Sequence, residues 1–283
     1  MMMVLSCVTM AFTWPSTGTT ADAQIAIIID DLGHNQSRGK RAIDLPAALT
    51  FAVIPQTAYG KTLANYAHSS GKEVMVHLPM ANTYGRPMEK LALTHNLTEM
   101  EIAEVFETAV SLVPYATGIN NHMGSALTQQ PQAMAWLMRV VKKHEFYFVD
   151  SRTTHRSVAL EIAQLENLES ARRDIFLDND RSAPAIDKQF RKLLKLAKER
   201  TSALAIGHPY PSTLDYLSQA IPLLEAEGIT IVSVSELLQF RTEARTLAKA
   251  NRRRTDKKAP AQNSDNQYTV QSNAKSTLNA GED

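Results

Sequence analysis

The chain has very little cysteine: one residue, Cys7, in a sequence of 283. A single thiol excludes an internal disulfide framework, and it leaves the body of the chain without a residue for nucleophilic cysteine chemistry or a thiolate zinc site. The chain also lacks a dominant charge of one sign, since its formal net charge is +1. So balanced a charge gives no general argument for nucleic-acid binding, and we expect no nucleic-acid partner.

The N-terminal segment lacks an apolar run long enough to cross a bilayer comfortably. Residues 4–14 are mostly apolar, but Pro15 follows them closely. Ala21-Asp22-Ala23 has the small-x-small form of a signal-peptidase site, although residues 1–3 carry no Lys or Arg. We therefore expect residues 1–23 to be a signal peptide and the protein to be periplasmic or secreted, not transmembrane. A lipid anchor on Cys7 is the alternative.

The composition changes after about residue 240. Two basic groups, at residues 252–254 and 257–258, are followed by Asn, Gln, Ser and Thr with almost no large apolar side chain. Such a composition cannot bury a core, so we expect residues 241–283 to be a disordered basic and polar tail. Residues 24–240 then remain as one folded domain.

Strand and helix patterns alternate through this domain. Apolar, often β-branched segments predict strands at residues 25–29, 49–54, 73–78, 117–121, 146–149, 174–177, 204–207 and 229–232. Helices are predicted at 102–113 after a capping box at Thr98, 133–143 after Pro131, 185–199 after Ser182, and 214–227 from a cap at Ser212 or Thr213 to Gly228. Seven or eight such units predict an α/β fold of the (β/α) barrel type, with an open doubly wound sheet as the alternative.

Two adjacent carboxylates, Asp30 and Asp31, follow the first apolar run. The run has no polar alternation, which predicts a parallel strand covered on both faces. Two like charges at the end of such a strand need a counter-charge, and a metal ion would supply it. One carboxylate would then be a ligand and the other a base. A solvated turn is the alternative reading of the pair.

Side chains suited to metal binding or proton transfer follow at least six of the predicted strands. Besides Asp30-Asp31 they are His77, Asn120-Asn121-His122, Asp150-Ser151-Arg152, Asp178-Asn179 and His208. Because the carboxyl ends of barrel strands meet on one face, we expect these residues to converge in an active site there.

Five segments of the domain together resemble the divergent polysaccharide deacetylase family, a usually exported bacterial branch of the polysaccharide deacetylases. They are residues 29–33, 77–80, 121–124, 149–152 and 206–209. The resemblance covers nearly all of residues 24–240. It implies a distorted (β/α) barrel and metal-dependent removal of N- or O-acetyl groups from carbohydrate. The expected substrate is an acetylated polysaccharide or a peptidoglycan-type glycan.

The resemblance also implies roles for individual residues. Asp30 corresponds to the general base, Asp31 and His77 to metal ligands, and His208 to the general acid. The usual second metal histidine is replaced by Ala81, and the usual Arg-x-Pro-Tyr motif is replaced around residues 121–124.

Two further roles are our own expectations from the residues. We expect His122, from the next strand, to supply the missing ligand, because an Asp-His-His set with open positions suits zinc. We expect Asp150 to orient His208 or another group of the site.

Several of these residues could instead have purely structural roles. His77 and His122 could be hydrogen-bonded core histidines, Asp150 could cap a helix, and Asp178-Asn179 could form a turn. The function has alternatives too. The chain could be a metal-dependent carbohydrate deacetylase in the cell envelope. It could also be a catalytically weak or inactive barrel that binds a glycan or a protein, or another metal hydrolase such as a phosphoesterase.

Overall fold

The computed structural model describes residues 23–258. The expected signal peptide, apart from Ala23, and residues 259–283 of the expected tail lie outside this range.

Parallel strands and helices alternate along the described chain. The strands are β1 (Ala23–Leu32), β2 (Thr50–Val53), β3 (Glu73–Met80), β4 (Ala116–Met123), β5 (Tyr147–Asp150), β6 (Ser170–Arg172), β7 (Ile175–Phe176), β8 (Ser202–Gly207) and β9 (Ile229–Ile231). The helices are α1 (Gln36–Ile43), α2 (Gly60–Ser69), α3 (Glu99–Leu112), α4 (Pro131–Lys143), α5 (Ala159–Leu165), α6 (Ala183–Arg200), α7 (Pro211–Ala220) and α8 (Val234–Lys258).

The strands form one curled parallel sheet in the order β6-β5-β4-β3-β2-β1-β8-β7, with β9 paired to the start of β1. This order is cyclic: the numbers fall to β1 and continue at β8 without the reversal that defines a doubly wound sheet. The two end strands, β6 and β7, do not pair with each other, so the ring of hydrogen bonds is open there. The fold is therefore a distorted (β/α) barrel, as the sequence predicted, and the doubly wound alternative is wrong.

Alternate residues of each strand pack into two different cores, because successive side chains of a strand point to opposite faces. The larger core lies between the sheet and its helices and includes Ile25, Ile27 and Ile29 of β1. The smaller core contains no residue of α1–α7, so it lies inside the curl. Its strand residues are Ala26, Ile28, Ala52, Met75, Tyr147, Val149, Ala171, Leu204 and Ile206.

Helix α8 begins in the inner core. Val234, Leu237 and Leu238 are buried there, and the Val234 N–H donates to Glu73 Oε2 at 2.9 Å. The compact unit that contains the barrel ends at Thr242. The helix itself continues to Lys258, so the expectation of disordered chain is wrong for residues 241–258. The Ala, Arg, Lys and Leu that follow the buried first turns are good helix formers.

The helix predicted over residues 214–227 is shorter than expected and starts earlier. Helix α7 has Pro211 in its first turn and ends at Ala220, because Pro222 cannot donate the next helical hydrogen bond. Two short 3-10 turns follow, and Gly228, at φ = 65°, ends them where a stop was predicted. Within residues 23–258, no helix combines the length and the apolar character that a bilayer crossing requires.

Candidate metal centre and active site

The carboxyl ends of the strands surround a cavity of about 630 Å³. Five of the six residues predicted for the site line it: Asp30, Asp31, His77, His122 and His208. Three of them lie two residues after an inner-core residue of a strand, and therefore on the same inward face. Asp30 follows Ile28, His77 follows Met75, and His208 follows Ile206.

Asp31 breaks this alternation. The register between β1 and β2 shifts between Ile29 and Leu32, and Asp31 has a positive φ of 58°. Such a bulge re-aims the side chain, so two consecutive carboxylates reach the same cavity. Aspartate is among the few residues other than glycine that tolerate the left-handed conformation. The bulge and the left-handed backbone at Asp31 therefore bring both carboxylates into one site.

His77 is held by an amide from the neighbouring strand. Its partner in the β3–β4 register is Asn120, whose Oδ1 lies 2.6 Å from His77 Nδ1. The Nδ2 of Asn120 donates to Asp30 Oδ1 at 2.7 Å, so its Oδ1 accepts a hydrogen bond from the imidazole. The donor is His77 Nδ1, and Nε2 faces Asp31 Oδ1 at 3.2 Å. This is the orientation that a metal-binding histidine requires.

His122 lies two residues after Asn120 and therefore on the same face of β4. Its Nδ1 is 3.1 Å from Asp31 Oδ1, and its ring meets that of His77 edge-on, with 4.8 Å between the centroids. The ligand atoms of Asp31, His77 and His122 all lie within 4.8 Å of one another. Ligands bound at about 2.0–2.1 Å in a tetrahedral zinc site stand roughly 3.4 Å apart. The donor types and their spacing therefore fit a divalent metal ion.

His208 is fixed by a buried carboxylate. Asp178 Oδ1 lies 2.8 Å from His208 Nδ1, and Asp178 Oδ2 accepts the backbone N–H of His208 at 2.7 Å and the Thr213 hydroxyl at 2.8 Å. With Nδ1 bound in this way, Nε2 points towards Asp31 Oδ2, 3.8 Å away. The sequence left open whether Asp178 forms a turn or belongs to the site. Its contacts with His208 place it in the site.

Asp150 does not orient His208. It lies on the same face of β5 as Phe148, which packs in the outer core. Its carboxylate therefore does not line the cavity. Its oxygens accept the N–H of Arg152 at 2.7 Å and the hydroxyl of Ser157 at 2.8 Å, which fixes the loop after β5. Asp178, and not Asp150, therefore positions His208; Asp150 fixes the loop that carries the cavity residue Arg152.

The buried charges shift one another's pKa values. Burial raises the pKa of Asp30, and the nearby His77 and His208 only partly oppose that rise. Burial acts in the same direction on Asp31, but hydrogen bonds from His122 and His77 hold the pKa of Asp31 well below its usual range. Burial alone would lower the pKa of His77, yet Asp30 and Asp31 raise it to about 9.

A family model for the divergent polysaccharide deacetylases matches residues 27–238, which include all the residues described above. The chain belongs to the divergent polysaccharide deacetylase family. The matched residues end at Leu238, the last side chain that the barrel core buries from α8.

Relatives of known sequence or structure cover the same domain. The uncharacterised Escherichia coli protein YibQ is 37% identical over 215 residues, which are 76% of this chain and 67% of that protein. An uncharacterised Haemophilus influenzae protein is 33% identical over 217 residues, 77% of each chain. The crystal structure of the uncharacterised protein ATU2773 from Agrobacterium tumefaciens shares the fold with a TM-score of 0.73 and 20% identity, over 76% of this chain and 89% of that one.

Two residues of the site were not assigned roles from the sequence. Asn120 was noted only as part of a strand end. Its hydrogen bonds to His77 and Asp30 depend on the pairing of the strands, which the sequence does not show. Asp178 lies two residues after Phe176, whose ring contacts His208, and Asp150 lies two residues after Phe148, which packs in the outer core. Which of these two faces is the inner one is known only from the structure.

Proposed function

We propose that this protein is a metal-dependent hydrolase that removes acetyl groups from glycans of the cell envelope. The observation that carries the proposal is a cluster of potential metal ligands flanked by two proton-transfer groups. Asp30 Oδ2 lies 3.6 Å from His77 Nε2, and His208 Nε2 lies 3.8 Å from Asp31 Oδ2. Family membership supports the class of substrate. Action on envelope glycans requires export, which the signal-peptide pattern of residues 1–23 supports.

Asp31, His77 and His122 would hold the ion, and their one-carboxylate, two-imidazole set suits zinc. A divalent ion bound there would polarise the acetyl carbonyl and lower the pKa of water. The remaining chemistry is assigned to side chains of the protein.

Asp30 acts as the general base. Its side chain is buried and its pKa is raised by that burial, which makes it a better proton acceptor near neutral pH than an exposed aspartate. The hydrogen bond from Asn120 Nδ2 occupies Oδ1, so Oδ2 is the oxygen that takes the proton from the attacking water.

His208 acts as the general acid. Although burial works against it, the hydrogen bond and charge of Asp178 raise the pKa of His208, so the ring is protonated more readily than a free imidazole. The proton on Nε2 then passes to the departing amine or alkoxide. Asp178 keeps Nε2 aimed into the cavity and balances the charge of the imidazolium.

Acetate release and metal content test this function together. We expect the purified protein to contain about one divalent ion per chain, and we expect it to release acetate from acetylated oligosaccharides in a reaction that a chelator stops. His77→Ala and His122→Ala should each lose the ion. His68→Ala is the matched control, because His68 is exposed and stacks on Tyr115 away from the cavity.

Asp30→Asn separates binding from catalysis. We expect this variant to keep its metal and to lose acetate release by roughly 10²- to 10⁴-fold, the usual contribution of a general base. A wild-type protein that holds no metal under any loading condition would leave a glycan- or protein-binding barrel as the better description. Hydrolysis of an aryl phosphate in preference to acetylated sugars would instead favour a phosphoesterase.

A further inference from the structure

The cavity is lined by guanidinium groups that form no close ion pair with its own carboxylates. Four arginines line it: Arg86, Arg152, Arg173 and Arg181. Among the described side chains, those of residues 23–252, none of these four guanidinium groups lies within 4 Å of an Asp or Glu oxygen, and the arginine ion pairs lie elsewhere. A guanidinium group stays protonated at any physiological pH, so its charge has to be balanced by solvent or by a bound anion.

The carboxylates that line the same cavity already have other partners. Asp31 contacts two histidines, His77 and His122, and Asp178 contacts His208. Asp30 is buried against His77 and Asn120. Asp30 and Asp150 also interact with Arg173 electrostatically, but no carboxylate of the described side chains lies within 4 Å of a cavity guanidinium group.

Two of the guanidinium groups are held on aromatic rings that touch His208. Arg181 Cζ lies 3.7 Å from the ring centroid of Tyr210, which stacks on the His208 ring at 5.2 Å. Arg173 Cζ lies 4.5 Å from the ring centroid of Phe176, which lies 5.5 Å from the His208 ring. Such cation–π contacts orient a guanidinium group over the face of an aromatic ring. Both cations are thus preorganised beside the candidate general acid.

Arg173 is further fixed by the loop after β5. Its Nε donates to the carbonyl of Ser151 at 2.7 Å and its Nη2 to the carbonyl of Arg152 at 3.0 Å. Arg152 lines the cavity next to it and has a positive φ of 51°. An arginine fixed in this way loses little side-chain freedom on binding an anion, and in Arg173 the Nη1 group remains for an oxygen of a carboxylate or phosphate.

We propose that the acetylated glycan carries an anionic substituent, a carboxylate or a phosphate, that binds to Arg152, Arg173 and Arg181 beside the reacting acetyl group. The presence of an acetyl group on this ligand rests on the proposed function. The binding of the anion by the arginines does not depend on that function. The arginines determine which sugar is accepted and take no part in the proton transfers.

Binding of matched probes tests the inference. The neutral probe is a tetramer of N-acetylglucosamine. The carboxylate probe is the alternating tetramer with N-acetylmuramic acid, which adds a lactyl carboxylate to every second sugar. The phosphate probe is N-acetylglucosamine 6-phosphate, compared with N-acetylglucosamine. Titration calorimetry uses the full chain with Asp30→Asn, so that the probes are not turned over.

At least one charged probe should bind about tenfold or more tightly than its neutral counterpart, and the preferred probe identifies the anion as carboxylate or phosphate. Arg181→Gln and Arg152→Gln should each reduce that preference several-fold and leave the affinity for the neutral probe unchanged. Arg172→Gln is the matched control, because Arg172 is exposed on β6 and does not line the cavity.

Equal affinity for charged and neutral probes, or no binding of any probe, would overturn the inference. So would Arg181→Gln and Arg152→Gln variants that weaken both kinds of probe equally, since that pattern indicates a structural role. Selective binding of a charged probe without acetate release by the wild-type protein would defeat the proposed function but not the anion site.

Discussion

At the scale of single residues, two side chains outside the ligand cluster orient the groups that react. Asn120 joins the candidate base Asp30 to the candidate ligand His77. Asp178 fixes His208 through both of its oxygens. Neither residue needs to touch substrate, so their effects should appear in metal affinity and pH dependence rather than in substrate binding.

Asn120→Ala should weaken zinc binding by about 10- to 100-fold, because His77 loses the acceptor that fixes its tautomer. Competition with a chromogenic chelator measures this affinity. Asn121→Ala is a close control: Asn121 is equally buried but bonds to Ser151 and Met123 instead of a ligand. The role assigned to Asn120 is wrong if both variants bind zinc like the wild type, or if both lose it equally.

Asp178→Asn should lower the rate of acetate release by roughly 10²-fold or more, because the imidazolium of His208 loses its counter-charge. The alkaline limb of the pH–rate profile should also move to lower pH, since Asp178 contributes more than Asp30 or Asp31 to the raised pKa of His208. A purely structural role would lower the rate at every pH without moving the limb. The pH profile of kcat therefore decides between the two.

The same pair makes a pH-dependent contribution to stability. The folded-state pKa of His208 lies above its unfolded value of 6.5, so the stabilisation is fully present below pH 6.5. It is lost as the pH rises through the raised pKa. Thermal melting of the wild type and of Asp178→Asn should therefore differ most at pH 6 and converge at alkaline pH. A gap that widens with pH would contradict the assignment.

At the scale of strands and helices, the inner faces of the strands connect the core to the site. The residues below the cavity are apolar, and the next inward position on each of three strands is Asp30, His77 or His208. A firmly packed inner core therefore holds the reacting groups in place.

Gly118 of β4 shows how closely this inner core is packed. A Cβ atom at Gly118 would lie 2.4 Å from Cε2 of Tyr147, whose ring is buried in the inner core. We expect Gly118→Ala to reduce the free energy of unfolding by about 1–3 kcal/mol, measured by denaturant titration. Gly71→Ala adds the same methyl group where nothing lies within 4 Å, so it reports only the cost of a positive φ. Equal stability of Gly118→Ala and wild type would show that the ring moves freely.

The sequence allowed most of the strands and their polar ends to be predicted, because apolar runs and the residues that follow them are local signals. Strand β6 was missed, since Ser170–Arg172 offers only one apolar residue and is ordered by pairing with β5. Helix α7 was extended too far because the stop at Pro222 was overlooked. The ligand set Asp31, His77 and His122 comes together in space. The partner of His208 was not predictable from order along the chain, since it depends on which face each strand end presents.

At the scale of the whole molecule, the first turns of α8 complete the barrel. Val234, Leu237 and Leu238 fill the inner core from the chain's far end, and Glu73 accepts the backbone N–H of Val234. The folded unit therefore needs residues that follow the last strand, β9.

Truncation tests this dependence. A chain that ends at Thr242 should fold with the stability of the full chain, because the compact unit ends there. A chain that ends at Val232 loses three buried aliphatic side chains, worth about 1.5–3 kcal/mol each. That loss approaches the whole stability of a typical domain, so the shorter chain should be unfolded by circular dichroism. Native folding of the chain ending at Val232 would show that α8 is dispensable.

The unpaired edge between β6 and β7 affects how such a barrel can diverge. In a closed barrel, strand number and shear together fix the radius, so the mouth cannot change width without altering every strand pair. In this chain only Arg173 and Asp174 connect the two edge strands, and no hydrogen-bond ladder joins them. Insertions at this connection can widen or narrow the entrance while the other strands keep their register. Related barrels can therefore evolve to admit molecules of different bulk by changes at this one connection.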